Sequence, residues 1–444
     1  MNLVYGIKDK PKFGQLLIFA FQQVLAILAA TIAVPAIIGN GMSQSAALFG
    51  AAVVTLVYQL FTKFNSPVFL GSSFAFIGSM FAAFGGAASA SAGYAGLILG
   101  AAFAGLVYVI IAVVVKFVGV KWISKLMPPV VIGPTVAIIG LSLAGNAVGD
   151  LTIGKVLVDG VSACSPYVAL ICGLVTLFSV IVISVYGKKM AKLIPFILGI
   201  LAGYIVAAIF TVIGIATNNV ALQVINFSVF QNMQIFAIPE FTMVAAAEGL
   251  KQIDGAFIAT VAVAYVPVAF VVFAEHIADH KNLSSIIGQD LLEEPGLHRT
   301  LLGDGIGSVA GAIFGGCPNT TYGESVGCVA ITRNASVVTV TAAAIMCIVI
   351  SFFGPFVTFL ASIPNCVMGG VCVTLYGFIA VSGLKMVQQV NLSASKNLFV
   401  VAIILITGIG GLSLTFGKVT LTSIACALIL GIIANLVLAS GKED

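Results

Sequence analysis

Long apolar runs separated by short polar breaks dominate the chain. Fourteen can be drawn, at 14–38, 44–62, 67–85, 92–116, 127–148, 164–186, 191–214, 255–279, 299–316, 319–333, 337–361, 364–383, 397–413 and 419–440. A helix that crosses a bilayer needs about 20 mostly apolar residues, and most of these runs are long enough. The pattern predicts an all-α polytopic membrane protein with 14 transmembrane segments. The third and tenth runs are short and rich in Gly, Ser or Thr. Residues 215–254 form the longest gap, with Pro239 and three acidic residues, and are expected to be an extramembrane connector with interfacial pieces.

Composition supports this reading. Of 444 residues, 60% are hydrophobic and 8% charged, where a soluble chain would carry about a quarter charged. Lys and Arg then set the orientation, because cytoplasmic loops are enriched in them. With the N-terminus inside, Lys8, Lys10, Lys12, Lys63, Lys116, Lys121, Lys125, Lys188, Lys189, Lys192, Lys281, Arg299, Arg333, Lys385, Lys396 and Lys442 fall on the cytoplasmic side. Only Lys155, Lys251 and Lys418 fall outside. Both termini are therefore expected in the cytoplasm. No small-residue cleavage site follows a short apolar stretch, so no removed signal peptide is expected. The net charge of +4 reflects this membrane bias and calls for no nucleic-acid partner. The eight cysteines lie in or beside apolar segments without a Cys-x-x-Cys pair and are expected to be buried packing residues.

Seven spans per half would place two related halves in opposite orientations. Gly71-Ser72-Ser73-Phe74-Ala75-Phe76 in the third run parallels Asn319-Thr320-Thr321-Tyr322-Gly323-Glu324 in the tenth. Pro128 and Gly133 have the same spacing as Pro364 and Gly369. Two inverted 7-segment repeats are expected. Ser72-Ser73 and Thr320-Thr321 suit extended backbone better than helix interior. Segments 3 and 10 are thus expected to be broken, each with a short extended piece followed by a half-helix. Irregular backbone at membrane depth survives only when it is buried or lines a cavity. Two half-helix N-termini meeting there would offer free N–H donors to a polar ligand.

The polar groups point to the same place. Gly255 to Ala274 contains no charge, and then the chain reads Glu275-His276-Ile277-Ala278-Asp279-His280. Ionisable groups inside a membrane segment are costly and usually mark a substrate or ion path. Glu275 and Asp279 are i,i+4 neighbours on one helix face, and His276 and His280 share the adjacent face. Glu324 opens the second half-helix, where the positive end of the helix dipole favours a carboxylate. Two carboxylates facing one cavity suit the N–H donors of a flat heterocycle, with Tyr322, Phe74 or Tyr376 against its ring. Asp279 is the expected proton-coupling group, its protonation linked to that of Glu275, with His276 as a relay. His280 is expected to reach cytoplasmic water as part of a solvated helix end.

The chain resembles the nucleobase–cation symporter 2 family (nucleobase/ascorbate transporters), and is most similar to its bacterial uracil permeases. The resemblance covers nearly the whole length and is carried by Ala274-Glu275-His276, Pro295-Gly296-Leu297-His298-Arg299 and Pro318-Asn319-Thr320-Thr321-Tyr322-Gly323-Glu324, running on through Gly327 to Thr332-Arg333. It implies a homodimeric, multi-pass symporter of the bacterial plasma (inner) membrane that moves a nucleobase, uracil first, with a proton or sodium and no cofactor. It also implies a core domain at 14–116 and 255–361 that moves like an elevator against a gate domain at 127–214 and 364–440. Glu275 and Glu324 would hold the base, with Ser73, Phe74, Tyr322 and Gly323 beside it and Tyr376 approaching from the gate. Three positions depart from the pattern. Ser325 replaces an asparagine that supports the site, Gln23 stands where many members have histidine, and Asp279 stands where uracil permeases often have histidine. Asp279 leans toward purine carriers, which leaves xanthine or uric acid as the alternative substrate.

Two other classes fit less well. An anion carrier of the same architecture would meet two carboxylates and no compensating cation at its site. An intramembrane metalloenzyme using Glu275, His276, Asp279 and His280 has permissible His-x-x-x-His spacing, but no Glu follows a histidine as a zinc-hydrolase helix requires.

Overall fold

Where the apolar runs are long and free of breakers the chain is helical, since a helix satisfies every backbone group within its own segment. The computed structural model describes residues 3–119, 128–158, 160–188, 190–231, 233–416 and 419–439. Lys121, Lys125, Lys189, Lys418 and Lys442 of the charge count lie outside them. The first part of the chain forms α1 Phe13–Ile38, α2 Gln44–Phe61, β1 Leu70–Ser72, α3 Ile77–Gly85 and α4 Ala90–Val118. There follow α5 Pro129–Ser142, α6 Ala144–Asp150, the hairpin β2 Leu157–Val158 and β3 Val161–Ser162, α7 Pro166–Tyr186, α8 Met190–Leu193, α9 Pro195–Ala216 and α10 Thr242–Ala246. The rest forms α11 Gly255–Ile287, α12 Leu297–Gly315, β4 Asn319–Thr321, α13 Gly323–Thr332, α14 Val337–Ser351, α15 Gly354–Ser362 and α16 Asn365–Val387. It ends with α17 Ser395–Ile409, the hairpin β5 Leu414–Phe416 and β6 Val419–Leu421, and α18 Ser423–Ala439.

Among the described residues eight helical stretches are long and apolar enough to cross a membrane, so the chain is a polytopic, mainly α-helical membrane protein. Several remaining runs divide into shorter pieces for local reasons. The run at 337–361 breaks because Pro355 takes the first turn of a new helix, where its missing N–H costs nothing. The run expected to end at 279 continues to Ile287, with His280 and Leu283 buried and Lys281, Asn282 and Ser285 on the exposed face.

Segments 3 and 10 are broken as expected. β1 and β4 pair antiparallel, with Gly71 opposite Thr320. The ladder extends reciprocally, since the Ser73 N–H donates to Pro318 O at 2.9 Å and the Tyr322 N–H to Phe69 O at 3.2 Å. This pair of bonds defines a local two-fold that maps Ser73 onto Tyr322 and Phe74 onto Gly323. The parallel drawn from the sequence set Phe74 against Tyr322, one residue away from this ladder symmetry.

A second local two-fold relates α5–α6 to α16. Pro128 and Pro364 each precede the first turn in extended backbone. A Cβ at Gly133 would lie 3.0 Å from Val387 N and 3.1 Å from Gly383 O, while one at Gly369 would lie 2.9 Å from Leu151 N and 3.0 Å from Ala147 O. Residues 128, 133, 147 and 151 thus correspond to 364, 369, 383 and 387. Only glycine allows so close a crossing in both places.

The helices pack in two sets. α1, α2, α4, α11, α12 and α14 contact one another, with α12 laid on α2 along Gly303, Gly307, Gly311 and Gly315, a small-residue stripe that lets membrane helices approach closely. α5, α7, α9, α16, α17 and α18 form the other set. The β1–β4 pair sits in the first set and faces α5 and α16 of the second. All eight cysteines are buried and unpaired by disulfides.

Candidate functional site

The broken segments and the kinked set boundary leave a cavity of about 270 Å³ between the two helix sets. Its polar side comprises Ser72, Ser73, Thr320, Thr321, Gly323 and Glu324 from the paired breaks and Glu275 and Asp279 from α11. Phe74 and Tyr322 also line it, and Ile132, Val136, Ile139, Leu375 and Phe378 form the apolar wall opposite. A few convergent polar groups in a mostly apolar cavity is the usual make-up of a small-molecule site. A larger cavity of about 490 Å³ lies elsewhere, near Asp150, Lys155 and Glu240, and none of the candidate residues reaches it.

Glu275 projects into the cavity from one face of α11, and Asp279 follows one turn later. The Thr321 hydroxyl donates to Asp279 Oδ2 at 2.7 Å, which ties the helix to β4. Glu324 occupies the first turn of α13, where backbone N–H groups have no partner within the helix. The ring of Tyr322 lies across Gly71, where a Cβ would come within 2.4 Å of it, and its hydroxyl donates to Ser72 O at 2.9 Å. Tyr322 is therefore part of the wall, buttressing the strand pair. Phe74 meets Tyr376 edge-to-face at 6.1 Å, so Tyr376 stands behind Phe74 from the second helix set. Ser73 Oγ and Thr320 Oγ1 are buried without a hydrogen-bond partner in the protein. Buried hydroxyls are normally bonded, so these two are free to meet a bound polar molecule.

The histidines point the other way. His276 is fully buried outside the cavity lining, with Nδ1 2.7 Å from Asp304 Oδ2 and Nε2 3.0 Å from Thr300 Oγ1. Its ring stacks on that of His280 at 4.1 Å. His280 does not reach water as expected. It is 1% exposed, its Nδ1–H donates to the His276 carbonyl at 2.7 Å, and its Nε2 faces the Tyr58 hydroxyl at 2.6 Å. The carbonyl can only accept, which fixes the tautomer. The expectation failed because helix α11 runs on to Ile287, with His280 turned to Tyr58 of α2 and Leu283 in the same apolar cluster as Val54 and Tyr58. Among the described residues no three His, Cys, Asp or Glu side chains are grouped to hold a metal ion.

Asp304 was missed in the sequence, where it looks like one polar residue in a glycine-rich helix. From α12 it holds His276, and Ser308 one turn on donates to Asn319 O at 2.7 Å. The back of α11 is thereby linked to β4. The signal that could have found it is its charge inside an apolar span. The departures at Gln23 and Ser325 are also resolved: they are partners. The Gln23 amide donates to Ser325 Oγ, which also accepts the Phe69 N–H at 2.9 Å. Ser325 thus ties α13 to α1 and to the start of β1.

Comparisons with known proteins identify the family. The model of the Xan_ur_permease family, a permease family, matches residues 14–416. The uracil permease of Bacillus caldolyticus is 36% identical over 438 residues, covering 98% of this chain and 94% of that one. The uracil permease of Bacillus subtilis (strain 168) is 34% identical, covering 99% and 96%, and that of Escherichia coli (strain K12) 31%, covering 97% and 93%. Among solved structures, the transmembrane domain of the cyanobacterial bicarbonate transporter BicA aligns with a TM-score of 0.62 at 17% identity, covering 98% of this chain and 100% of that domain. Murine Solute Carrier 26 family member A9, an anion transporter, aligns at 0.66 and 13% identity, covering 97% and 69%. At such identities these two likenesses speak for the fold alone. The family match and the near full-length relatives agree, and the chain belongs to the Xan_ur_permease family of membrane permeases.

Proposed function

We propose that the protein is a symporter that imports a nucleobase, uracil first, across a bacterial inner membrane with both termini cytoplasmic, driven by protons. The observation that carries this reading is the convergence of Glu275 and Glu324, from a continuous helix and a broken one, on one cavity with free backbone donors and apolar walls. Each carboxylate accepts an N–H of the base, the backbone at Tyr322-Gly323 meets a carbonyl of it through the Gly323 N–H, and Ser73 supplies a further hydroxyl. Phe74, backed by Tyr376, covers the ring. The relatives named as uracil permeases support uracil over xanthine or uric acid. Asp279 keeps the purine reading as the alternative.

For coupling, Asp279 is the proton site. It is held by Thr321 on the strand pair, so a change in its charge bears directly on the backbone that binds the base. His276 supports it from behind as part of the Asp304 network, and sodium is the competing driver. The reading takes residues 14–116 and 255–361 as a core and 127–214 and 364–440 as a gate, in a 14-span inverted repeat with 215–254 outside the membrane. The two packed helix sets and the two local two-folds support it. Elevator-like movement of the core in a homodimer completes the mechanism.

Proteoliposomes containing the purified protein test this with radiolabelled uracil, excess xanthine as competitor, and a protonophore. Uptake is expected to follow an imposed proton gradient, to collapse with the protonophore and to resist xanthine. Sodium-dependent uptake that survives the protonophore sinks the proton assignment. Xanthine uptake without uracil uptake transfers the site to the purine reading.

A further inference from the structure

Away from the transport cavity, a recess of about 290 Å³ opens where the C-terminal end of α4 meets the start of α12. Lys116, His298 and Arg299 line it together with Phe61, Val113 and Phe117, and no acidic side chain does. Lys116 Nζ lies 5.6 Å from the centre of the Phe117 ring. Arg299 Nη1 donates to Phe61 O at 3.3 Å at the C-terminal end of α2, one of the five N–H donors of its guanidinium. Below it on α4, Leu106, Ile110, Val113 and Phe117 form one helical stripe, each about half exposed or more. Such a stripe on a membrane helix faces acyl chains. An apolar track that ends in three cationic or N–H donating side chains matches an amphiphile with an anionic head.

We propose that this recess binds the headgroup of an anionic phospholipid, its phosphate held by Lys116, His298 and Arg299 and its acyl chains laid along Leu106, Ile110 and Val113. Guanidinium and ammonium groups are the usual phosphate partners. Aromatic Phe117 covers the glycerol level. Lys and Arg distribution places this end of α4 on the cytoplasmic side, so the lipid belongs to the inner leaflet. The site does not depend on which nucleobase is carried. It lies on the helix set that the elevator reading moves, so the lipid would travel with the core.

Native mass spectrometry of the purified, delipidated protein with phosphatidylglycerol or phosphatidylcholine tests the idea. Wild type is expected to retain phosphatidylglycerol over phosphatidylcholine. Lys116→Gln is expected to weaken that retention about five-fold, and the Lys116→Gln, Arg299→Gln pair by a further similar factor. Lys281→Gln, an exposed lysine outside the recess, serves as the control and should change nothing. Because Arg299 also anchors Phe61, the single Lys116→Gln variant decides the matter if the pair misfolds. Unchanged retention in Lys116→Gln overturns the proposal, as does an equal loss in Lys281→Gln. If glycerol 3-phosphate displaces the lipid at equal concentration, the recess recognises soluble phosphate and the lipid assignment fails.

Discussion

At the scale of single residues, α11 separates function by face. Glu275 and Asp279 front the cavity, while His276 and His280 are turned into the protein. Glu275→Gln and Glu324→Gln are each expected to weaken uracil binding by about ten-fold or more, since a hydrogen bond to a charged group contributes about 1.5–3 kcal/mol. Equilibrium binding in detergent checks this, and wild-type affinity in either variant refutes the carboxylate assignment. His276→Ala should act differently. It leaves the buried Asp304 carboxyl without its closest partner, and an unsatisfied buried polar group costs about 1–3 kcal/mol. A fall in the thermal midpoint of the purified protein is expected. The carboxylates at 275 and 324 were legible in the sequence because charge in an apolar run is conspicuous. The burial of His280 was not, because its partner Tyr58 lies on another helix more than two hundred residues away.

At the scale of elements, the strand pair is the structure on which the site depends. Three residues per strand is too short to stand alone, and the pair persists because Thr55, Ser308 and Ser325 cap its free backbone groups from neighbouring helices. Ser325→Ala removes the acceptor for the buried Phe69 N–H, and an unsatisfied buried donor costs about 1–3 kcal/mol. A comparable loss is expected for Gln23→Ala if the two act as one unit. Their double variant should then cost much less than the sum, and additive losses in thermal denaturation would show the two to be independent. Gly71→Ala places a methyl group against the Tyr322 ring. It should lower uracil affinity with only a modest change in stability, since the ring must leave Ser72 O to make room. The broken elements were foreseeable from their Gly, Ser and Thr content. Their register was not, because the side chains at 71–76 and 319–324 match best one residue away from the pairing the backbone adopts.

At the scale of the whole molecule, the cavity lies between two helix sets that each hold together through close small-residue crossings. If transport displaces one set against the other, a bifunctional thiol reagent joining Gly78→Cys on α3, which packs on α4 and α11, to Ile424→Cys on α18 should stop uptake. The native cysteines are all buried and should react slowly. Cross-linking within one set, between Phe49→Cys on α2 and Phe314→Cys on α12, should leave uptake largely intact. Equal uptake before and after the first cross-link, verified by mass spectrometry, counts against relative movement of the sets. A core and a gate were expected from the sequence only through a resemblance, since nothing in an apolar run states which other run it will touch.

The sequence by itself determined that the chain is a helical membrane protein, where its third and tenth segments break, and which two carboxylates sit in an expensive place. Those properties follow from local composition, because each span must satisfy its own backbone and each buried charge must have a reason to remain. Tertiary structure alone decided the pairing register of the two breaks, the turning of both histidines onto Asp304 and Tyr58, and the meeting of Gln23 with Ser325. These are contacts between segments far apart in the chain, chosen by packing and hydrogen-bond satisfaction, and no local pattern specifies them.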